Sequence, residues 1–181
     1  MPAAPLVLLD ARAVARTISR MADEILERNA GTDRLILVGI QRRGVQIAER
    51  IAKVIQEREG ASVPLGALDI TLYRDDLQTV GPRPVVGQTH LPKALEGQAV
   101  VIVDDVLFTG RTIRAALDEL ADFGRPSRIM LAVLVDRGGR ELPIHADVVG
   151  QTVTVPPGGR VDVLVPELDG KDEVTMVGGG P

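Results

Sequence analysis

Two hydrophobic periods take turns along the chain. Unbroken apolar runs stand at residues 35–38 and 99–103 and, after Arg128, through the rest of 128–135, with no polar alternation inside them. Such runs suit strands covered on both faces, as in a parallel sheet between helices. Between the runs, apolar residues recur at helical spacing. Val14, Ile18, Met21, Ala22, Ile25 and Leu26 follow an N-cap position at Asp10 and stop at Ala30-Gly31. Val45, Ile47, Ala48, Ile51, Ala52, Val54 and Ile55 make a second such face, and Ile113, Ala116, Leu117 and Leu120 a third, ended by Gly124-Arg125-Pro126. Strand alternating with helix predicts an α/β fold: one domain over residues 1–181, its central parallel sheet flanked by helices and joined by right-handed crossovers.

Four further stretches complete the pattern. Residues 6–9 read as a short opening strand and GALDITL (66–72) as a third sheet strand. The next segment, YRDDLQTVGPRPVVGQT (73–89), is polar and rich in glycine and proline; so long an irregular connection is read as a flexible lid. From 141 to 177 only short strand-like pieces remain, at 146–149, 161–165 and 174–177. They are too short and too local for further parallel crossovers and predict a small hood or sheet edge.

Composition narrows this little. With 45% hydrophobic, 25% charged and 2% aromatic residues the core is aliphatic, and without cysteine there is no disulfide, zinc–cysteine site or thiol nucleophile. A net charge of −4 argues against indiscriminate nucleic-acid binding while leaving room for a local basic face. The amino terminus lacks a basic n-region and no apolar run approaches a membrane span, so the cytoplasm is the expected location and no membrane partner is expected.

Chemistry concentrates at AVVIVDDVLFTGRT (99–112). The carboxyl end of a parallel strand is where such sheets bind ligands. Thr109, Gly110, Arg111 and Thr112 combine two hydroxyls, a glycine that lets backbone approach closely, and a helix start whose free N–H groups favour an anion. That is a phosphate cradle. Asp104 and Asp105 would repel each other unless something shares their charge, and vicinal sugar hydroxyls or a hydrated Mg²⁺ are the candidates. Together they suit a ribose 5-phosphate. Neither the Walker nor the dinucleotide glycine pattern is present. A second anion loop is expected at 39–44, where Gln41, Arg42 and Arg43 stand between two glycines at a strand end.

The 99–112 string closely resembles the phosphoribosyl-pyrophosphate (PRPP) signature of type I phosphoribosyltransferases. LVGIQRRG (37–44), LDITLYRDD (68–76), GRP (124–126) and LAVLVDRGGRELPIHAD (131–147) narrow the resemblance to the bifunctional pyrimidine-operon attenuator and uracil phosphoribosyltransferase family, PyrR. It runs from about residue 10 to 173.

The resemblance implies a type I phosphoribosyltransferase fold with a hood built from the chain termini, and the reaction of uracil with PRPP to UMP and diphosphate, with Mg²⁺. Asp104 and Asp105 would hold the ribose hydroxyls, and would meet the metal indirectly, through PRPP and water. Residues Val106, Leu107 and Phe108 with the Thr109–Thr112 cradle would bind PRPP or UMP. Gln41, Arg42 and Arg43 would take the diphosphate, and Tyr73, Arg74, Asp75 and Asp76 would form the lid, Arg74 among the catalytic groups. Phe108, Arg137 and Val161 would face uracil. Purine enzymes of this type place an aspartate where Phe108 stands; Phe108 cannot transfer a proton, which disfavours a purine.

The family also binds pyrimidine-operon messenger RNA when UMP or UTP fills the site, and it forms homo-oligomers. Arg16, Arg20, Arg28, Arg140 and Arg160 are the basic residues left for an RNA face. The chain departs from the family with Asp23 inside the first helix, Gly139 and His145 where histidine and arginine are usual, and Gln151 where a lysine leads. Two other readings therefore stand beside the bifunctional one: an enzyme without RNA binding, and a non-catalytic nucleotide-sensing RNA regulator.

Overall fold

The computed structural model describes residues 3–71, 89–92 and 94–178. The lid residues Tyr73, Arg74, Asp75 and Asp76 lie outside the described residues.

Five strands form one parallel sheet in the order β3-β2-β4-β5-β6: β2 (Leu35–Ile40), β3 (Leu65–Leu68), β4 (Ala99–Leu107), β5 (Arg128–Asp136) and β6 (Val148–Thr152). Helices α1 (Ala11–Asn29) and α2 (Arg43–Glu59) cover one face, and α3 (Arg111–Phe123) the other. Strict alternation along the strands feeds both cores. Leu35 and Leu37, Val101 and Val103 pack toward α1 and α2, whereas Ile36 and Val38, Val100 and Ile102 pack toward α3. This is why the runs read as continuously apolar.

A second sheet, antiparallel in the order β1-β8-β7, joins the two ends of the chain: β1 (Leu6–Leu9), β7 (Arg160–Leu164) and β8 (Glu173–Val177). The short helix α4 (Pro166–Asp169) follows β7. Val161, Val163, Val165 and Val174 share the core of α1 and α2, so this hood is fused to that face.

Two expectations are corrected. The third strand ends at Leu68, not at 72: Asp69 turns its carboxylate back to accept the Thr71 N–H at 3.0 Å, an Asx-type bond that competes with the ladder. The 146–149 piece does not belong to the hood. Val148–Thr152 pairs in parallel with β5, reached by a crossover that contains no helix; Gly150 admits this because a Cβ there would lie 2.4 Å from the Leu134 carbonyl and 2.7 Å from Thr17.

Helix α1 begins as its sequence predicts, with Asp10 accepting the Ala13 N–H at 2.8 Å, and ends at Ala30 in the left-handed conformation. Arg20 fastens it to the sheet edge by donating to the Val149 and Gly150 carbonyls.

Candidate active site

The chain leaves β2 toward β3 on one side and β4 toward β5 on the other. The crevice at the carboxyl ends of β2 and β4 is therefore the topological switch point, where open parallel sheets take their ligands.

Two helix N-termini open onto it; neither N-cap residue makes a side-chain capping bond, and neither first turn carries an acid. Their free N–H groups and positive dipole ends are thus left for an anion, in contrast to the capped α1. At α3 the N-cap is Gly110 at φ 94°, a left-handed position that glycine adopts freely. Thr109 Oγ1 accepts the Arg111 N–H at 3.2 Å, and Thr112 is exposed at the mouth. At α2, Gly44 lets the helix start press on β4: a Cβ there would lie 2.5 Å from the Val103 carbonyl and 3.3 Å from Asp104 Cα. The Gln41–Arg42 peptide before it is cis.

The aspartates lie inside β4 and not beyond its end. Asp104 Oδ1 accepts the Asp105 N–H at 2.9 Å and Asp105 Oδ1 the Val106 N–H at 2.8 Å. Over these two residues the alternation slips, so that Val106 packs toward α1 and α2 while Leu107 packs toward α3. Asp104 is only 6% exposed; burial, and then the neighbouring Asp105, push its carboxyl well above its ordinary value. Asp105 is half-buried and lines a cavity of about 160 Å³ with Arg43, Val161, Asp162, Val163 and Leu164. Asp105 thus faces the cleft, with Asp104 behind it.

The two loop arginines part company. Arg42 is exposed, whereas Arg43 is bound in a bidentate fork to Asp169 of α4, with Nη2 at 2.6 Å from Oδ1. That hydrogen bond raises the Arg43 pKa and holds the Asp169 carboxyl below its usual range. Asp169 had no visible role in the sequence, since nothing near residue 43 points to residue 169.

On the other side of the cleft, the Arg137 guanidinium stacks 3.8 Å from the centroid of the Phe108 ring and donates to the Gly159 carbonyl at 3.3 Å. Its Nε is buried without a partner among the described residues. Phe108 is 45% exposed, and its ring rests on Gly139, where a Cβ would lie 2.4 Å from Cε1. Arg140 is committed inward: it donates to the Ile144 carbonyl at 2.7 Å, the Phe108 carbonyl at 2.8 Å and Asp136 at 2.6 Å. Burial pushes the Asp136 carboxyl up, but the Arg140 bond and the Gly138 N–H outweigh it and leave Asp136 below its ordinary value.

The other basic residues are spread over α1 and the hood. Arg16 is exposed on α1, Arg20 is spent on β6, Arg28 pairs with Glu24 at 3.4 Å, and Arg160 pairs with Asp162 at 3.0 Å. His90 and His145 are both exposed, and no group of three or more His, Cys, Asp or Glu among the described residues could hold a metal.

Residues 7–159 match the phosphoribosyl transferase domain family. Proteins named bifunctional protein PyrR match nearly the whole chain. That of Thermus aquaticus is 57% identical over 169 residues, covering 93% of each chain, and that of Pelotomaculum thermopropionicum 54% identical over 170 residues, covering 94% of each. The chain belongs to the bifunctional PyrR family of phosphoribosyltransferases. Solved structures give the same fold at far lower identity. A hypoxanthine phosphoribosyltransferase from Trypanosoma cruzi has a TM-score of 0.73 at 19% identity, covering 94% of each chain. A hypoxanthine-guanine phosphoribosyltransferase from Bacillus anthracis has 0.73 at 13%, covering 98% of this chain and 99% of the other. At such identities the likeness speaks for the PyrR fold and not for its base. Among the described residues no helix is long and apolar enough to cross a membrane.

Proposed function

We propose that the chain transfers the phosphoribosyl group of PRPP to uracil, giving UMP and diphosphate, and that it binds pyrimidine-operon leader RNA when UMP or UTP occupies the same pocket. The observation that carries this is the pair of uncapped helix N-termini flanking Asp105 at the switch point, in a chain 53–58% identical to PyrR proteins.

Each part of the cleft has a partner in the reaction. The first turn of α3, with Thr109 and Thr112, takes the ribose 5-phosphate. Asp105 accepts from the ribose hydroxyls. Breaking the bond from C1 to diphosphate leaves positive charge on the sugar and negative charge on the departing group. The Asp105 carboxylate answers the first, and Arg42 with the free N–H groups of α2 the second. The Phe108 face offers uracil an apolar contact, while the unpartnered Arg137 Nε–H can donate to a uracil carbonyl and the Val161 backbone edge faces it.

Asp104, which burial keeps toward its protonated form, is a poor metal ligand, and Asp105 is one accessible carboxylate. Mg²⁺ is commonly held by one or two carboxylates together with substrate oxygens and water, so this donor set fits an ion brought by PRPP. When bound, that ion neutralises diphosphate charge.

For RNA, Arg16 on α1 offers an exposed cation near β6, and Arg20, Arg28 and Arg160 border it or lie on the hood. Exposed Leu117, Phe123 and Ile129 favour a homo-oligomer, which sedimentation velocity reads directly. The deciding assay pairs UMP formation from uracil and PRPP with binding of a pyrimidine leader hairpin, on one preparation. Mg²⁺-dependent turnover with uracil, and RNA binding tightened by UMP, are expected. Turnover with hypoxanthine or orotate alone would overturn the base, and RNA affinity indifferent to UMP would overturn the coupling.

A further inference from the structure

Two arginines of α2 grip the hood. Arg43 donates from Nε to Asp169 Oδ2 at 3.2 Å and from Nη2 to Oδ1 at 2.6 Å. Arg50 donates to Asp172 from Nη1 at 2.9 Å and from Nη2 at 3.2 Å. Both are bidentate forks, the geometry that fixes an arginine most firmly. Their positions differ. Arg43 is the first residue of α2, beside Arg42, and lines the cleft cavity with Asp105 and Val161. Arg50 lies two turns on, about 10 Å further along the helix axis. Asp169 is itself held, because its Oδ2 also accepts the Val165 N–H at 2.8 Å, directly after β7. The clamp at the cleft therefore runs from the diphosphate loop to the strand that carries Val161.

The charges are arranged with equal economy. A guanidinium next to the place where diphosphate leaves is already matched by a carboxylate, with Asp105 and Asp162 also close enough to act on it. Arg42, one residue earlier, is exposed, and Asp169 acts on it through charge but without a hydrogen bond.

We propose that Asp169 is a positioning residue for the transferase reaction: it ties Arg43 to the hood and withholds its charge from the leaving diphosphate, so that of the two loop arginines it is Arg42 that meets that group. The inference rests on the reading given under Proposed function. Two consequences follow. The base side and the diphosphate side of the cleft move as one unit, and product diphosphate meets one arginine of the loop in place of two, which favours its release.

The test is calorimetric binding of magnesium diphosphate to the full chain, together with the KM for uracil, in Asp169→Asn and Asp172→Asn. Both variants loosen the hood, but only the first frees a cation at the cleft. Asp169→Asn is expected to bind diphosphate about tenfold tighter, by the added unit charge at close range, and to raise the uracil KM several-fold. Asp172→Asn should leave diphosphate affinity within about twofold, since Arg50 is screened from the cleft at that distance. Weaker diphosphate binding in Asp169→Asn, or the same response in both variants, would overturn the proposal. If Asp169→Asn does not fold, Arg43→Gln and Arg42→Gln decide: a large loss of diphosphate affinity is expected only for Arg42→Gln, and the reverse order overturns the proposal. A wild-type protein inert toward uracil, with Asp169→Asn still binding diphosphate more tightly, would remove the substrate reading and leave the clamp.

Discussion

The Phe108 ring carries the Arg137 guanidinium 3.8 Å from its centroid and abuts Gly139, whose absent side chain makes the room. A cation–π contact of this kind contributes about 0.5–2 kcal/mol, and here it also holds Arg137, whose Nε has no partner among the described residues. Phe108→Ala is expected to raise the KM for uracil roughly tenfold while changing that for PRPP little. Gly139→Ala should imitate it, because the new Cβ both meets the ring and sits at φ 80°. Initial-rate kinetics with each substrate varied in turn checks both, and a PRPP-side effect would place the ring elsewhere in the mechanism.

The buried Asp104 carboxyl links activity to stability with opposite signs. Its folded-state pKa lies above the unfolded value, so its contribution to stability is complete below about pH 4 and is lost as pH rises through the folded value. Asparagine has no proton to lose and can still accept the Asp105 N–H. Asp104→Asn is expected to be more stable than the parent at pH 7 by about 1–2 kcal/mol, with the gap closing toward pH 4, and to lose at least tenfold in UMP formation as Asp105 loses its backing. Urea midpoints across this range test the sign; a gap independent of pH would exclude burial as its cause.

Gly44 is a steric pivot. Its Cβ would meet backbone, not a flexible side-chain end, at 2.5 Å. Gly44→Ala should therefore push the α2 start away from β4, with a stability loss of about 1–3 kcal/mol and a larger loss in PRPP affinity than in uracil affinity. Thermal melts and KM values for both substrates give the comparison.

Arg140 and Arg16 separate structure from RNA contact. Arg140 spends its guanidinium on two carbonyls and Asp136, so Arg140→Ala is expected to cost about 2–3 kcal/mol of stability and to impair turnover. Arg16→Ala should leave melting and UMP formation unchanged, weaken binding of the leader hairpin, and lower the salt slope by about one contact. A salt titration with and without UMP measures this.

The sequence made the local patterns plain and the distant pairings opaque. Asp10 as a cap, Ala30 as a stop and Gly110 before α3 each act within a few residues of themselves, so their roles could be read directly. The helix start after Thr109 and Gly110 is legible for the same reason. In the sequence Arg43 reads only as a diphosphate ligand, because Asp169 is remote along the chain; only the folding of the hood onto α2 brings the two together. Arg140 was placed among possible RNA contacts on charge alone, and its three acceptors converge on it through two separate loops. The β6 strand was misplaced because a parallel crossover usually needs a helix, and here residues 137–147 make the passage without one, strapped to the 108–109 loop by bonds from Glu141 and Leu142 to the Thr109 carbonyl. The two solved structures are of hypoxanthine and hypoxanthine-guanine phosphoribosyltransferases while the sequence relatives are PyrR proteins, so the shared fold does not carry the base.

The hood pairs β1, near the start of the chain, with β8, near its other end. Among the described residues no strand pairing spans more of the sequence, and pairings of such separation form late. During synthesis the phosphate and diphosphate sides of the cleft, both on β2 and β4, can assemble while the first strand still waits for its partner. A chain stalled on the ribosome short of β8 would therefore carry the strands of the cleft but lack the paired hood from which Asp169 holds Arg43 and the Gly159 carbonyl holds Arg137.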